Sequence, residues 1–382
     1  MVGNIIGRDL EVWHPIPRYD RWVESLGIPV HRGYYVEDLR TMPLGPWPER
    51  ECNAAVLILE GQEGLTESRV TEIPAGATLP PLKLAIDELV YVLSGRGLTT
   101  VWAEGHPKKT FEWQAHSLFL LPRNYTHQLT NAQGNEPVRV LNFNYLPLAM
   151  AVFQDPKYFF NNPYLQPDPE VLYRPDTDFY LSEARKVTMG EGIGVIWVGN
   201  FLPDMGAWDK LRGQSERGIG SMSACFVFPG TGMSVSTPTM PVGTYKKAHR
   251  HGPGVVITIP READGYSIMW PEGGEKVIIP WHEGSMFIPP NQWYHQHFNV
   301  DSTPARYMSL FPPRSHLFGP TRGFYRRLGQ REARRQLEYT DEEPWIRERF
   351  EQELEKRGLK SLMPEEAYQS ADFKLPRDDG DA

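Results

Sequence analysis

The sequence predicts an all-β protein made of two barrels of one design, with short helices at both termini. Three observations predict it. Residues 74–131 and 241–299 share a skeleton at an offset near 168. Between the shared anchors lie short apolar runs rich in β-branched and aromatic residues, bounded by glycine, proline or charge. Glycine (34) and proline (35) are frequent among the 382 residues, as many short strands joined by turns require. Strands spaced about 8–12 residues apart indicate a sandwich or barrel rather than βαβ units.

Taken in order, residues 1–50 form an N-terminal arm. Within it Arg18-Tyr-Asp-Arg-Trp-Val-Glu-Ser-Leu26 is amphipathic and meets Gly27, a helix with a glycine stop. Residues 51–150 make the first barrel and 216–315 the second. Pro74-Ala-Gly76 matches Pro241-Val-Gly243, Ser117–Pro122 matches Ser285–Pro290, and His127–Asn131 matches His295–Asn299. The strands between them include 89–93, 98–102, 255–259 and 266–270. Residues 151–215 are aromatic and proline-rich without a clear period, and read as a connector wrapping the barrels. Residues 316–382 form a C-terminal helical tail. There Thr340 and Glu343 have capping-box spacing, Pro344 suits a first turn, and Ile346, Phe350 and Leu354 recur every four residues up to Gly358. One apolar stripe predicts a helix lying on its own barrel or on a partner subunit. The stretch after Lys374 reads as disordered.

Composition excludes several classes of function. A net charge of -8 argues against nucleic acid as the main partner, because phosphate attraction needs a basic surface. No run of about 18 apolar residues predicts a membrane span. Two cysteines, Cys52 and Cys225, cannot form a disulfide framework. With no basic-then-apolar leader, a reducing, cytoplasmic setting is expected.

The chemistry is concentrated in histidines. His249 and His251 flank Arg250, and His295 and His297 flank Gln296. Strand alternation puts each pair on one face and the intervening residue on the other. If the two strands are neighbours, several imidazoles converge inside the barrel, and imidazole binds Fe, Mn, Ni, Cu and Zn. By the same alternation Trp293 shares the face of His295, and Tyr245 that of His249. Gln292 and Trp293 are candidates for the pocket mouth, Tyr245 for a pocket hydroxyl and Trp270 for a pocket wall. Lys246 and Lys247 read as surface charges, with an anion-attracting role as the alternative.

The second repeat resembles the cupin metal signature. It has Gly243, five residues, His249-x-His251, and later Gly284, five residues, Pro290, His295 and Asn299, with Gln292 in the place of a glycine. The resemblance implies two small antiparallel barrels, a bicupin. Many cupins place a glutamate ligand three or four residues after the histidine pair; here the corresponding stretch holds Val255 and Val256. The implied ligands are therefore His249, His251 and His295, leaving coordination positions open to a chelating anion, dioxygen or water. His297 is the candidate general acid/base. In the first repeat Gly76, Glu88, Gly95, Pro122, His127 and Asn131 keep family spacing. Leu82 and Leu84 replace its histidine pair, while His116 and Asn124 replace two glycines. That barrel is expected to be metal-free and to support the other.

Run 293–299, the His-Arg-His opening and the missing glutamate are similar to bicupin ring-cleaving dioxygenases of the gentisate, salicylate and 1-hydroxy-2-naphthoate type, and to other bacterial bicupins. That resemblance implies an Fe(II) enzyme opening a small hydroxylated or carboxylated ring with dioxygen. The alternative is a non-redox lyase, isomerase or hydrolase using Mn, Ni or Zn, and a third option is a non-catalytic ligand-binding bicupin. Each implies a small anionic or hydroxylated ligand and no membrane or nucleic-acid partner. A homo-oligomer is plausible from the barrels and the terminal helix.

Overall fold

In a computed structural model the described residues are 16–189, 194–313 and 335–373. The first 15 residues and the tail from Lys374, read above as lacking a leader and as disordered, lie outside them. The chain is all-β, with two barrel units and short helices near both ends of the described region. No described helix is long and apolar enough to cross a membrane.

Among the described residues the first barrel consists of an eight-stranded and a four-stranded sheet. The larger runs through Cys52–Leu59, Glu67–Ile73, Val138–Asn144, Glu88–Ser94 and Leu118–Leu121; the smaller centres on Thr126–Asn131 and Arg96–Trp102. The second barrel has an eight-stranded sheet including Val256–Thr258 and Met308–Phe311. A three-stranded sheet in it orders Val277–Trp281, Gly265–Trp270 and Tyr294–Asn299. One apolar cluster joins the barrels, with Val56 and Leu89 of the first sharing it with Val256 and Leu310 of the second.

The repeat is structural as well as sequential. Asn131 donates from its amide to the carbonyls of Ile73, Pro74 and Glu136. Asn299 donates in the same way to Met240, Pro241 and Thr303. Each asparagine is buried and ties a strand end to the loop that opens its barrel. Trp113 donates its indole N–H to Thr99 at 2.8 Å, as Trp281 does to Ser267 at 3.0 Å. Both indoles lie over a glycine: a Cβ on Gly97 or Gly265 would come within 2.3 or 2.1 Å of the ring. His116, Asn124 and Gln292, non-glycine residues at turns, have left-handed backbone at φ 71°, 66° and 60°.

The ends differ in part from the sequence expectations. The first helix among the described residues runs Arg18–Ser25, and Gly27 follows at φ 66°. The connector is more than a wrapper. It gives Gly194–Val198 to the second barrel's large sheet and Phe201–Leu202 to the first barrel's. The N-terminal arm likewise pairs Val30–Gly33 with the first barrel and Tyr35–Val36 with the second. The late helix is Pro344–Glu355 with Ile346, Phe350 and Leu354 buried, but no capping box forms. Glu343 is the N-cap, and its carboxylate is engaged by Lys276 and by the Trp345 indole. The apolar stripe lies on the protein's own second barrel, with Phe350 against Tyr245 and Phe298 at 4.9 and 5.8 Å between rings.

Candidate metal centre

The strand Tyr294–Asn299 lies antiparallel to Gly265–Trp270, pairing His295 with Met269 and His297 with Ser267. On its other side it meets the segment carrying the first histidine pair, through a bridge between His249 and His295. Leu337 donates to the carbonyl of Ala248 at 2.9 Å, so the chain beyond the barrel covers the outer edge of that segment. These pairings place His249, His251 and His295 together. One ring nitrogen of each lies within 4.8 Å of the others. Ring centroids are 4.2 Å apart for His249 and His295, and 4.6 Å for His251 and His295.

Burial decides the protonation of this cluster. His249 and His295 are held well below the ordinary histidine value, first by loss of solvent and then by neighbouring imidazoles. They are therefore neutral donors near pH 7, the form in which imidazole binds a metal. The Nδ1 atoms of His251 and His295 face the carbonyls of Gly252 and Trp293 at 2.7 and 3.3 Å. A ring nitrogen donating to a carbonyl leaves the other nitrogen's lone pair free. The Nε2 of His295 is buried without a protein partner, which costs free energy unless something completes it. The donor set thus fits a divalent transition ion.

His297 shares the inward face. Its Nδ1 lies 2.8 Å from the Ser267 hydroxyl, which also accepts from Trp281. Its Nε2 is buried and unpartnered. Phe287 and Tyr307 pack around the ring at 5.7 and 4.6 Å. Trp293 is half-buried and tilted against Tyr34 at 5.8 Å. The backbone N–H of Gln292 donates to the carbonyl of His251, and its side chain is exposed.

Two pocket candidates face elsewhere. Tyr245 stacks on Phe298 at 4.8 Å and donates its hydroxyl to Glu342, beneath the terminal helix. Bridges pair Tyr245 with Phe298 and His249 with His295, so four steps on one segment oppose three on the other. That extra residue is a bulge, and it reverses the alternation on which the Tyr245 assignment depended. Trp270 pairs with Tyr294, one position beyond the Met269–His295 pair, and so takes the opposite face. Lys276 stands over its ring at 5.3 Å.

Lys246 is a residue that sequence reasoning misplaced. It is buried, not on the surface, with its ammonium 5.4 Å from the centre of the Tyr307 ring. Burial, and secondarily Arg217, lowers it to about 7. Lys247 is also buried and pairs with Glu338 at 2.5 Å. Consecutive residues of an extended segment take opposite faces, and the bulge decides which face Lys246 takes. Ser267 and Trp281 were missed; their one signal in the sequence was the repeat, which sets them opposite Thr99 and Trp113.

No protein-family model matches the chain, and no curated protein sequence does. Among solved structures, a serine-to-alanine mutant of Bacillus subtilis oxalate decarboxylase is 11% identical with a TM-score of 0.45, over 74% of this chain and 78% of that one. A deletion mutant of the same enzyme matches at 11% and 0.45, over 77% and 83%. An oxalate decarboxylase from that bacterium studied for its Mn(II) centres matches at 12% and 0.45, over 74% and 78%. Likeness at this distance transfers no residue role or activity.

Proposed function

We propose that this chain is a metal-dependent enzyme acting on a small hydroxylated or carboxylated molecule, with His249, His251 and His295 as the metal ligands. The observation that carries this reading is the convergence of three imidazole nitrogens within 4.8 Å, one of them buried and unpartnered. A divalent transition ion there supplies Lewis acidity toward a bound oxygen. The other roles belong to the chain. Ser267 and Trp281 hold the His297 ring in one orientation, leaving Nε2 to hydrogen-bond substrate or move its proton. The buried Lys246, lowered to about 7, is protonated in part near neutral pH and in that form offers positive charge to an anion beside that face.

Proton-handling groups beside a Lewis-acid site favour non-redox chemistry, that of a lyase, isomerase or hydrolase using Mn, Ni or Zn. The second reading, an Fe(II) dioxygenase, has in its favour the all-neutral ligand set, with Val255 and Val256 where a glutamate would stand. Elemental analysis of protein purified without added metal, followed by turnover of hydroxybenzoates and small hydroxy- and dicarboxylates with and without dioxygen, tests both. Oxygen-independent turnover supports the first and oxygen uptake the second. Protein that takes up no transition ion overturns both.

A further inference from the structure

The barrel without the histidine pair contains a cavity of about 360 Å³. It opens at the positions that correspond to the metal centre of the other barrel. Leu82 and Leu84 stand for His249 and His251, His127 for His295, and Leu129 for His297, and all four line it. The volume falls within the range of sites for small organic ligands, about 300–1,000 Å³.

Charged side chains of both signs line it, Arg50 and Arg69 with Glu49 and Glu88. Arg69 is buried and matched by two carboxylates, Glu67 and Glu88, the latter at 3.2 Å. Glu88 is further held by the amides of Asn142 and Asn144. Arg50 also lines the cavity but has no carboxylate within 4 Å among the described residues; its hydrogen bond is to the carbonyl of Pro81 at 3.5 Å. The field of the two guanidiniums is felt across the space. After burial, Arg50 and Arg69 are the next causes that lower His127, to about 3. The remaining walls are apolar, with Trp22 stacked on Phe160 at 5.0 Å.

We propose that the first barrel is a binding site for a small monocarboxylate with an aromatic or aliphatic body, the carboxylate meeting Arg50 and the body lying against Trp22, Leu82 and Phe160. Arg50 is the lining guanidinium outside a close ion pair, so one carboxylate can meet it directly, whereas a second would be buried unpaired. A guanidinium here supplies the positive charge that an ion supplies in the other barrel. This site is independent of the proposed metal centre.

Titration calorimetry with benzoate, hexanoate and the neutral isostere benzamide tests it on the full chain and on the His249→Ala variant, which excludes carboxylate capture by a metal. Saturable 1:1 binding of benzoate or hexanoate, equal in both proteins and at least about tenfold tighter than benzamide, is expected from a charge-assisted hydrogen bond. Arg50→Gln should weaken the carboxylates about tenfold and leave benzamide unchanged, and Arg50→Lys should recover part of the loss. Absence of saturable binding by both carboxylates, equal affinity for benzamide, or insensitivity to Arg50→Gln in a folded variant would overturn the proposal.

Discussion

His249 and His295 exchange both backbone hydrogen bonds, at 3.0 and 2.8 Å, and their rings stand 4.2 Å apart. The pairing joins residues 46 positions apart in sequence, so the ligand geometry is set by barrel closure and not by a local motif. A cluster held by backbone in this way keeps its shape when one side chain is removed, which makes single substitutions informative.

His249→Ala should abolish uptake of a transition ion while leaving the fold intact. A ligand at 100 times its Kd stabilises a folded protein by about 2.7 kcal/mol. A chelator should therefore lower the melting temperature of the parent by several degrees and leave that of the variant unmoved. Elemental analysis alongside thermal melts checks both.

Ser267→Ala removes the hydroxyl shared by His297 and Trp281. Leaving buried polar groups without a partner costs about 1–3 kcal/mol. Metal content should be unchanged, and kcat should fall about tenfold or more with little change in KM. Steady-state kinetics on the substrate found by the turnover screen reads the split; a loss of metal instead would make Ser267 a structural support of the cluster.

Burial pushes the Glu342 carboxyl up from 4.5 to about 7, against the opposing hydrogen bonds from Tyr245 and Gln296 and the charge of Arg347. Its folded value lies above its unfolded one. Between those values the folded chain holds a proton that the unfolded chain has released. The stability this group contributes is complete below pH 4.5 and is lost as pH rises to about 7, by up to about 3 kcal/mol. Glu342→Gln should flatten that slope, as urea unfolding at pH 5 and pH 8 would reveal.

Gly265→Ala would drive a methyl group into the Trp281 indole, 2.1 Å from its nearest atom, and into the Phe298 carbonyl. Overpacking of this kind costs about 1–3 kcal/mol. Gly97→Ala should cost a similar amount, since the first barrel repeats the contact with Trp113. Chemical denaturation of the two variants compares them.

Much of the architecture was legible because a two-residue side-chain period and a duplicated set of turn and anchor residues survive in the linear sequence. Two all-β units, Asn131 and Asn299 at matching strand ends, the helix after Pro344 and the two His-x-His pairs all follow from local patterns. The tertiary structure alone decided which face each residue took once the alternation broke. One extra residue between Tyr245 and His249 sends the tyrosine under the terminal helix and Lys246 to the buried face near His297. It also decided that Arg50 and Arg69, 19 positions apart, line one cavity with Leu82 and His127. Periodicity is a property of consecutive residues, whereas a bulge and a cavity are products of how separated strands close around a common core.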